Sequence, residues 1–286
     1  MIYVCLSHDI DRIDKTYQYV TKPLRALKNG NFSLFCKLIW SALTIRRPYW
    51  GFDEIMRIEE AFGVRSTLFF LNERIKPQWT KPKSWKLAFG RYDIHDKRIV
   101  KVISELDAKG WEIGVHGSYR SSNDEQLLRQ EKEILEQIVG HEVIGTRQHY
   151  LNFSEDTFDI HHRCGFKYDS TWGLTEGIGF KDEKVKPFFP IKDSDYCEIP
   201  MTIMDSPFAE QKDKWEQFAG IVDVVDRNDA YLVINYHNNN FSDSDYLGYN
   251  KDYIRMIDIL KNRGAQFMTM GEAYQQILKQ ISSIAG

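Results

Sequence analysis

The stretch "LSHDID", residues 6–11, follows an apolar run and sets Asp9 and Asp11 two residues apart. Side chains on a strand alternate between faces, so this pair points the same way. The pattern recurs three times. "WEIGVH" (111–116) ends on His116, "EVIGTRQH" (142–149) puts Arg147 and His149 on one face, and "AYLVINYH" (230–237) does the same with Asn235 and His237. Ionised carboxylates are rarely buried unless paired or bound to a metal. Oxygen and imidazole donors suit zinc or a similar divalent ion, with positions left for water and substrate. A second carboxylate beside such an ion can take a proton from bound water, and an arginine can keep that carboxylate ionised. A histidine from a distant strand can protonate a leaving amine. These types read together as metal-assisted hydrolysis of an amide or ester. A lone DxD could merely hold loop amides, but four strands ending alike favour a site.

The elements that position these residues alternate. Strand patterns at 64–71, 111–116, 142–149, 166–170 and 230–237 are interleaved with helix patterns at 96–110, 123–140, 154–165, 213–227 and 251–264. That alternation implies parallel βαβ units, whose C-terminal strand ends are where active sites are built. Seven or eight units point to an α/β barrel, read as a single domain over residues 1–286. The exception is a helical insertion at about 12–50. From Arg12 to Pro48 it holds Arg12, Lys15, Lys22, Arg25, Lys28, Lys37, Arg46 and Arg47 against one acid, Asp14. Its apolar residues, Tyr17, Val20, Leu24 and Leu27 and then Leu34, Phe35, Leu38 and Ile39, recur at helical spacing and predict two amphipathic helices.

With 286 residues, 42% of them apolar, the chain can bury a large core, and a net charge of −3 gives no global field for nucleic acid. Cys5, Cys36, Cys164 and Cys197 lie far apart without a CxxC pair and read as reduced core residues. The first residues show no basic segment followed by an apolar one, so the expected location is cytoplasmic. His95, His141, His161 and His162 fall in or beside helices and turns and read as structural or solvated.

In chain order, "SHDID", "STLFFL", "EIGVHGSY", "RQHYL", "YDSTWG" and "VINYH" resemble the motifs of the polysaccharide deacetylase superfamily, carbohydrate esterase family 4 with its NodB-homology domain. The resemblance runs from residue 1 to about 240. It implies a distorted (β/α) barrel of seven or eight parallel strands and a divalent metal cofactor, zinc first. It also implies Asp9 as base, Asp11 and His116 as ligands, Arg147 orienting Asp9, and His237 as general acid. Asp169 and Trp172 correspond to the residues that wall the pocket and support that histidine. The sequence departs from the family at Arg120, which stands where a second metal histidine belongs and cannot ligate. His149, where a proline is usual, either replaces that ligand or touches substrate.

The implied activity is a hydrolase acting on an amide bond, removing an N-acetyl group from a sugar in surface-polysaccharide biosynthesis. Arg120 and Asn235 are candidates for contact with that carbohydrate. The cationic insertion favours an anionic or diphosphate-linked sugar and allows contact with a membrane surface through residues 12–50. The altered metal motif keeps two alternatives open: an amidohydrolase acting on a small nitrogen compound, and a carbohydrate-binding pseudoenzyme on the same fold.

Overall fold

The computed structural model describes residues 1–45, 47–77, 79–80, 85 and 87–285; Arg46 of the basic insertion lies outside the described residues. Nine strands form one parallel sheet: β1 (Tyr3–Ile10), β2 (Thr67–Leu71), β3 (Glu112–Gly117), β4 (Gly145–Gln148), β5 (Tyr168–Asp169), β6 (Cys197–Glu198), β7 (Ile203–Met204), β8 (Tyr231–Asn235) and β9 (Gln266–Met268). Eight lie on one path in the order β6-β5-β4-β3-β2-β1-β8-β7, and β9 joins β1 beside it. The sheet curls into a distorted α/β half-barrel, as the strand–helix alternation predicts. No ladder joins β6 to β7 among the described residues.

β1 holds this arrangement together because both its edges are used along its length. One edge carries β8 over Tyr3–Ser7. The other carries β9 over Tyr3–Cys5 and then β2 over Ser7–Ile10. Pleating divides its side chains. Val4, Leu6 and Ile10 face outward into the layer of helices, while Cys5 packs inward with Phe69, Tyr168, Val233 and Met270. Outside the sheet lie α3 (Phe52–Phe62), α4 (Lys97–Ala108), α5 (Glu125–Val139), α6 (Thr157–Arg163), α7 (Asp205–Glu210), α8 (Lys214–Asn228) and α9 (Tyr249–Asn262); α10 (Met270–Ala285) closes the lower mouth through Met270, Ala273 and Tyr274.

The same pleat answers what His8 does directly before the two aspartates. It points to the outer face, where Nδ1 bonds the Tyr236 carbonyl at 2.8 Å and Nε2 meets Glu59 Oε1 at 2.8 Å. Glu59 also accepts from Trp111 Nε1–H at 2.7 Å and Tyr253 O–H at 2.7 Å, all within the core. Glu59→Ala would leave three buried groups without their acceptor. It is expected to cost about 3–5 kcal/mol in denaturant unfolding; a loss under about 1 kcal/mol would show that water replaces the carboxylate.

The insertion folds as predicted into two helices, α1 (Gln18–Lys28) and α2 (Phe32–Thr44). It is pinned by Asp245, which is buried and takes Lys15 at 2.8 Å, Lys22 at 3.2 Å and the Tyr49 hydroxyl at 2.8 Å. Cys5, Cys164 and Cys197 are free and buried, but Cys36 is exposed on α2.

Candidate active site

β1 delivers Asp9 inward, and the residues around it fix its charge. Arg147, fully buried on β4, sets Nη1 at 2.9 Å from Asp9 Oδ1, and equally close to Ser7 Oγ and Asn235 Oδ1. Asn235 Nδ2 donates to the other carboxylate oxygen at 2.8 Å. Burial would push the Asp9 carboxyl up, but the surrounding His116, Arg147 and His237 outweigh it and hold the group below the usual carboxylate range. Asp9 is therefore ionised, oriented and a weak base. It can take a proton only from a donor more acidic than bulk water.

Beside it, Asp11, His116 and His149 form a buried group that could hold a metal ion. Asp11 Oδ1 lies 3.4 Å from His116 Nε2 and 3.2 Å from His149 Nδ1, and the two imidazole nitrogens are 3.2 Å apart. Ligands ~2.1 Å from a tetrahedral ion are ~3.4 Å from one another, so the three atoms fit the edges of such a site. Asp11 Oδ1 is buried without a hydrogen-bond donor, which a cation would satisfy. His116 Nδ1 donates to the Arg147 carbonyl at 2.8 Å, leaving the Nε2 lone pair for the ion.

His149 is reached differently from the expected strand alternation. β4 ends at Gln148, and His149 begins a tight turn in which Tyr150 and Leu151 adopt left-handed φ values of 61° and 49°. Such strain in non-glycine residues persists where surrounding structure holds it. Here it aims the ring at His116. Burial lowers the His149 imidazole to about 4, against the opposite pull of Asp11, so it is neutral as a ligand must be.

His237, two residues past the end of β8, lines the same cleft. Its Nδ1 lies 3.0 Å from Asp205 Oδ2, and that same oxygen accepts from the His237 backbone N–H at 2.6 Å and from Asn240 Nδ2 at 2.7 Å. Burial would lower the imidazole, but Asp205, joined by Asp11 and Asp9, raises it to about 10. His237 is protonated at neutral pH and can give that proton away. Asp9, Asp11, His116, His149 and His237 line one cleft of about 200 Å³ with Tyr150, Leu151, Thr175 and Met204.

No protein-family model and no curated protein matches the sequence. Solved structures do. Over 98% of this chain and 91% of the other, a Mycobacterium smegmatis protein assigned as a polysaccharide deacetylase superposes with a TM-score of 0.61 at 17% identity. A Pseudomonas aeruginosa protein assigned the same way gives 0.58 at 13%, covering 96% and 90%. The Puue allantoinase gives 0.56 at 15%, covering 96% and 89%. The chain has the fold of the polysaccharide deacetylases.

Within this deacetylase-like fold, four expected site residues stand elsewhere. Asn235 is aimed at Asp9 and Arg147 rather than at the cleft. Asp169 does not support His237. It accepts from the Thr171 hydroxyl at 2.6 Å and pairs with His161 at 3.3 Å, in a buried cluster with Glu198. That cluster sets the segment whose Ser170 carbonyl and hydroxyl accept from Arg147, each at 3.0 Å. Trp172 packs against Phe153 with ring centroids 5.3 Å apart, outside the cleft-lining residues. Arg120 is exposed in the turn after β3 and does not line the cleft. His161, expected as structural or solvated, is fully buried in the Asp169 cluster.

Two residues escaped the sequence reading. Asp205 follows β7, an apolar strand ending on a carboxylate like the others but only two residues long. Arg91 lies on the loop after β2, with Nη2 donating to His149 Nε2 at 2.7 Å and Nη1 donating to the Asp11 carbonyl at 3.2 Å. A guanidinium only donates, so in this arrangement Nε2 is the acceptor and the His149 proton sits on Nδ1. Ligation through Nδ1 must displace that proton and disturb the Arg91 bond. Arg91→Ala is therefore expected to tighten divalent metal binding by about 10-fold or more, a charge-assisted bond being worth about 1.5–3 kcal/mol. His149→Ala is expected to weaken it by about 10-fold or more. Isothermal titration of both variants checks this; unchanged affinity in His149→Ala removes His149 from the ligand set.

Proposed function

We propose that the protein is a metal-dependent hydrolase that removes the acetyl group from an N-acetylated sugar. The observation that carries this is one cleft lined together by a clamped, ionised Asp9, a protonated His237 and the Asp11, His116 and His149 group. A divalent ion held by those three would acidify a water and polarise the acetamide carbonyl, and zinc is the ion best matched to one carboxylate and two imidazoles. Asp9 accepts the water's proton, its charge kept in place by Arg147 and Asn235. His237, held by Asp205, protonates the nitrogen so that it leaves as an amine. Ser7, Asn235 and Ser170 keep Arg147 from swinging into the cleft.

The substrate we infer is an anionic or diphosphate-linked N-acetyl sugar, a cytoplasmic precursor in surface-polysaccharide assembly. Arg12, which follows Asp11 directly, has a buried Nε that meets no acceptor, although it does not line the cleft. Lys15 and Lys22 do not support this reading, because Asp245 occupies both. Acetate release with zinc is measured on a free N-acetylhexosamine and on its nucleoside-diphosphate form. Faster turnover of the second, with a salt-sensitive kcat/KM, is the expected result. Equal, salt-independent values remove the anionic part of the proposal, and no acetate from either removes the deacetylase reading.

A second reading is favoured by the likeness to the allantoinase. A small cyclic or linear amide would fill a 200 Å³ cleft without help from the insertion. Hydrolysis of allantoin by the same preparation, without acetate release from any sugar, would establish it.

A further inference from the structure

The two insertion helices are turned the wrong way for a hairpin that merely covers a core. From Tyr17, just before α1, through Val20, Leu24 and Leu27, apolar residues recur at three- and four-residue steps, and this stripe faces solvent, with Val20 61% and Leu24 59% exposed. On α2, Phe32, Ile39, Trp40 and Leu43 form a second outward stripe, with Trp40 69% and Leu43 80% exposed. The inward faces are poorer: Gln18, Pro23 and Ala26 on α1, Leu38 and Ser41 on α2. An amphipathic helix ordinarily buries its apolar stripe, and soluble monomers rarely leave large contiguous apolar patches uncovered.

Charge names what covers these stripes. From Gln18 to Thr44 there is no acid, against Lys22, Arg25, Lys28 and Lys37. Arg25 and Lys28 end α1, are exposed, and make no ion pair among the described residues; Arg47 is exposed just beyond α2. A second copy of the same face would bring cations against cations, whereas an anionic lipid surface complements both the charge and the aromatic and aliphatic stripes. No helix among the described residues is long and apolar enough to cross a membrane, so the geometry is that of a hairpin lying on one. Trp79 and Phe89 are exposed as well, and Gly90 leaves room for Thr16 and Arg12 at the hairpin's base.

We infer that α1 and α2 dock the protein on the surface of an anionic phospholipid bilayer, with Val20, Leu24, Phe32, Trp40 and Leu43 in the acyl boundary and Arg25 and Lys28 at the headgroups. The hairpin leaves the end of β1 just past Asp11, at the strand edge where the cleft opens. Docking therefore brings the cleft to the headgroup layer. This does not depend on the reaction assigned above, since vesicle binding needs no turnover.

The test is cosedimentation of the full chain with phosphatidylcholine vesicles, with and without phosphatidylglycerol. Binding is expected only with phosphatidylglycerol and should weaken as salt rises. Arg25→Glu with Lys28→Glu should lower the partition coefficient by about 10-fold or more, since each surface cation contributes about five-fold. Leu24→Asp with Leu43→Asp should abolish binding, and as both sites are exposed the unfolding midpoint should stay unchanged. Three results would overturn the inference: no binding to anionic vesicles, binding that survives Leu24→Asp with Leu43→Asp, or a solution dimer that those substitutions dissociate.

Discussion

Asp9→Asn is expected to lower kcat by about 10²–10⁴, the range that a positioned general base supplies, while leaving metal stoichiometry unchanged. The separation between those outcomes comes from geometry. Asp9 Oδ2 lies 3.9 Å from His116 Nε2, so the side chain stands beside the ligand set rather than in it. An amide has the same shape but cannot accept a proton. Its NH2 must also face either Arg147 or Asn235, both of which donate to the carboxylate, so a stability loss of about 1–3 kcal/mol should accompany the substitution. Elemental analysis and single-turnover acetate release measure the two effects separately. Near wild-type turnover would show that Asp9 is only a charge partner for Arg147.

The second large effect is expected at Asp205→Asn. Burial alone would lower the His237 imidazole; Asp205 reverses this and brings it to about 10. Because the folded value lies above the ordinary one near 6.5, the pair's contribution to stability is full below about pH 6.5 and is lost as pH rises toward 10. The same sign governs catalysis, since an acid is useful while protonated. Without the Asp205 charge, the alkaline limb of kcat/KM should move down toward the ordinary imidazole range, and kcat at pH 8 should fall by about 10²-fold or more. The full pH profile reads this, with His237→Gln as the variant in which the alkaline limb disappears altogether. An unshifted limb in Asp205→Asn would mean that another group sets it.

The parts of this site that the sequence exposes are those where local pattern and tertiary position coincide. Asp9, His116 and Arg147 sit on strands that alternate cleanly, so their type and their face could be read together. His149 was found for a partly wrong reason: it lies one residue beyond β4, and a strained turn brings it round. Asp205 and Arg91 were hidden because the first follows a two-residue strand and the second lies on no strand at all. Asp169 was misplaced because β5 pairs with β6 at Asp169 and Glu198, which commits its carboxylate to a neighbour behind Arg147. The insertion shows a different limit. Periodicity reveals that a helix has an apolar stripe but not which way the stripe turns, and in α1 it faces outward.

The placing of β1 also orders events in time. Its first half is gripped by β8 and β9, and His8 meets the Tyr236 carbonyl across 228 residues of chain. During synthesis the strand bearing Asp9 is made first, yet one of its edges waits for partners made almost last. Until they arrive, β1 to β6 can only form an open sheet whose β1 edge is an unpaired apolar margin, the kind of species that chaperones cover. Contacts of such separation slow folding, and they make it all-or-none for the site. A nascent or truncated chain ending before β8 lacks Asn235 and His237 and has no second edge to hold Asp9. The chemistry is absent from every partial product that ends before His237.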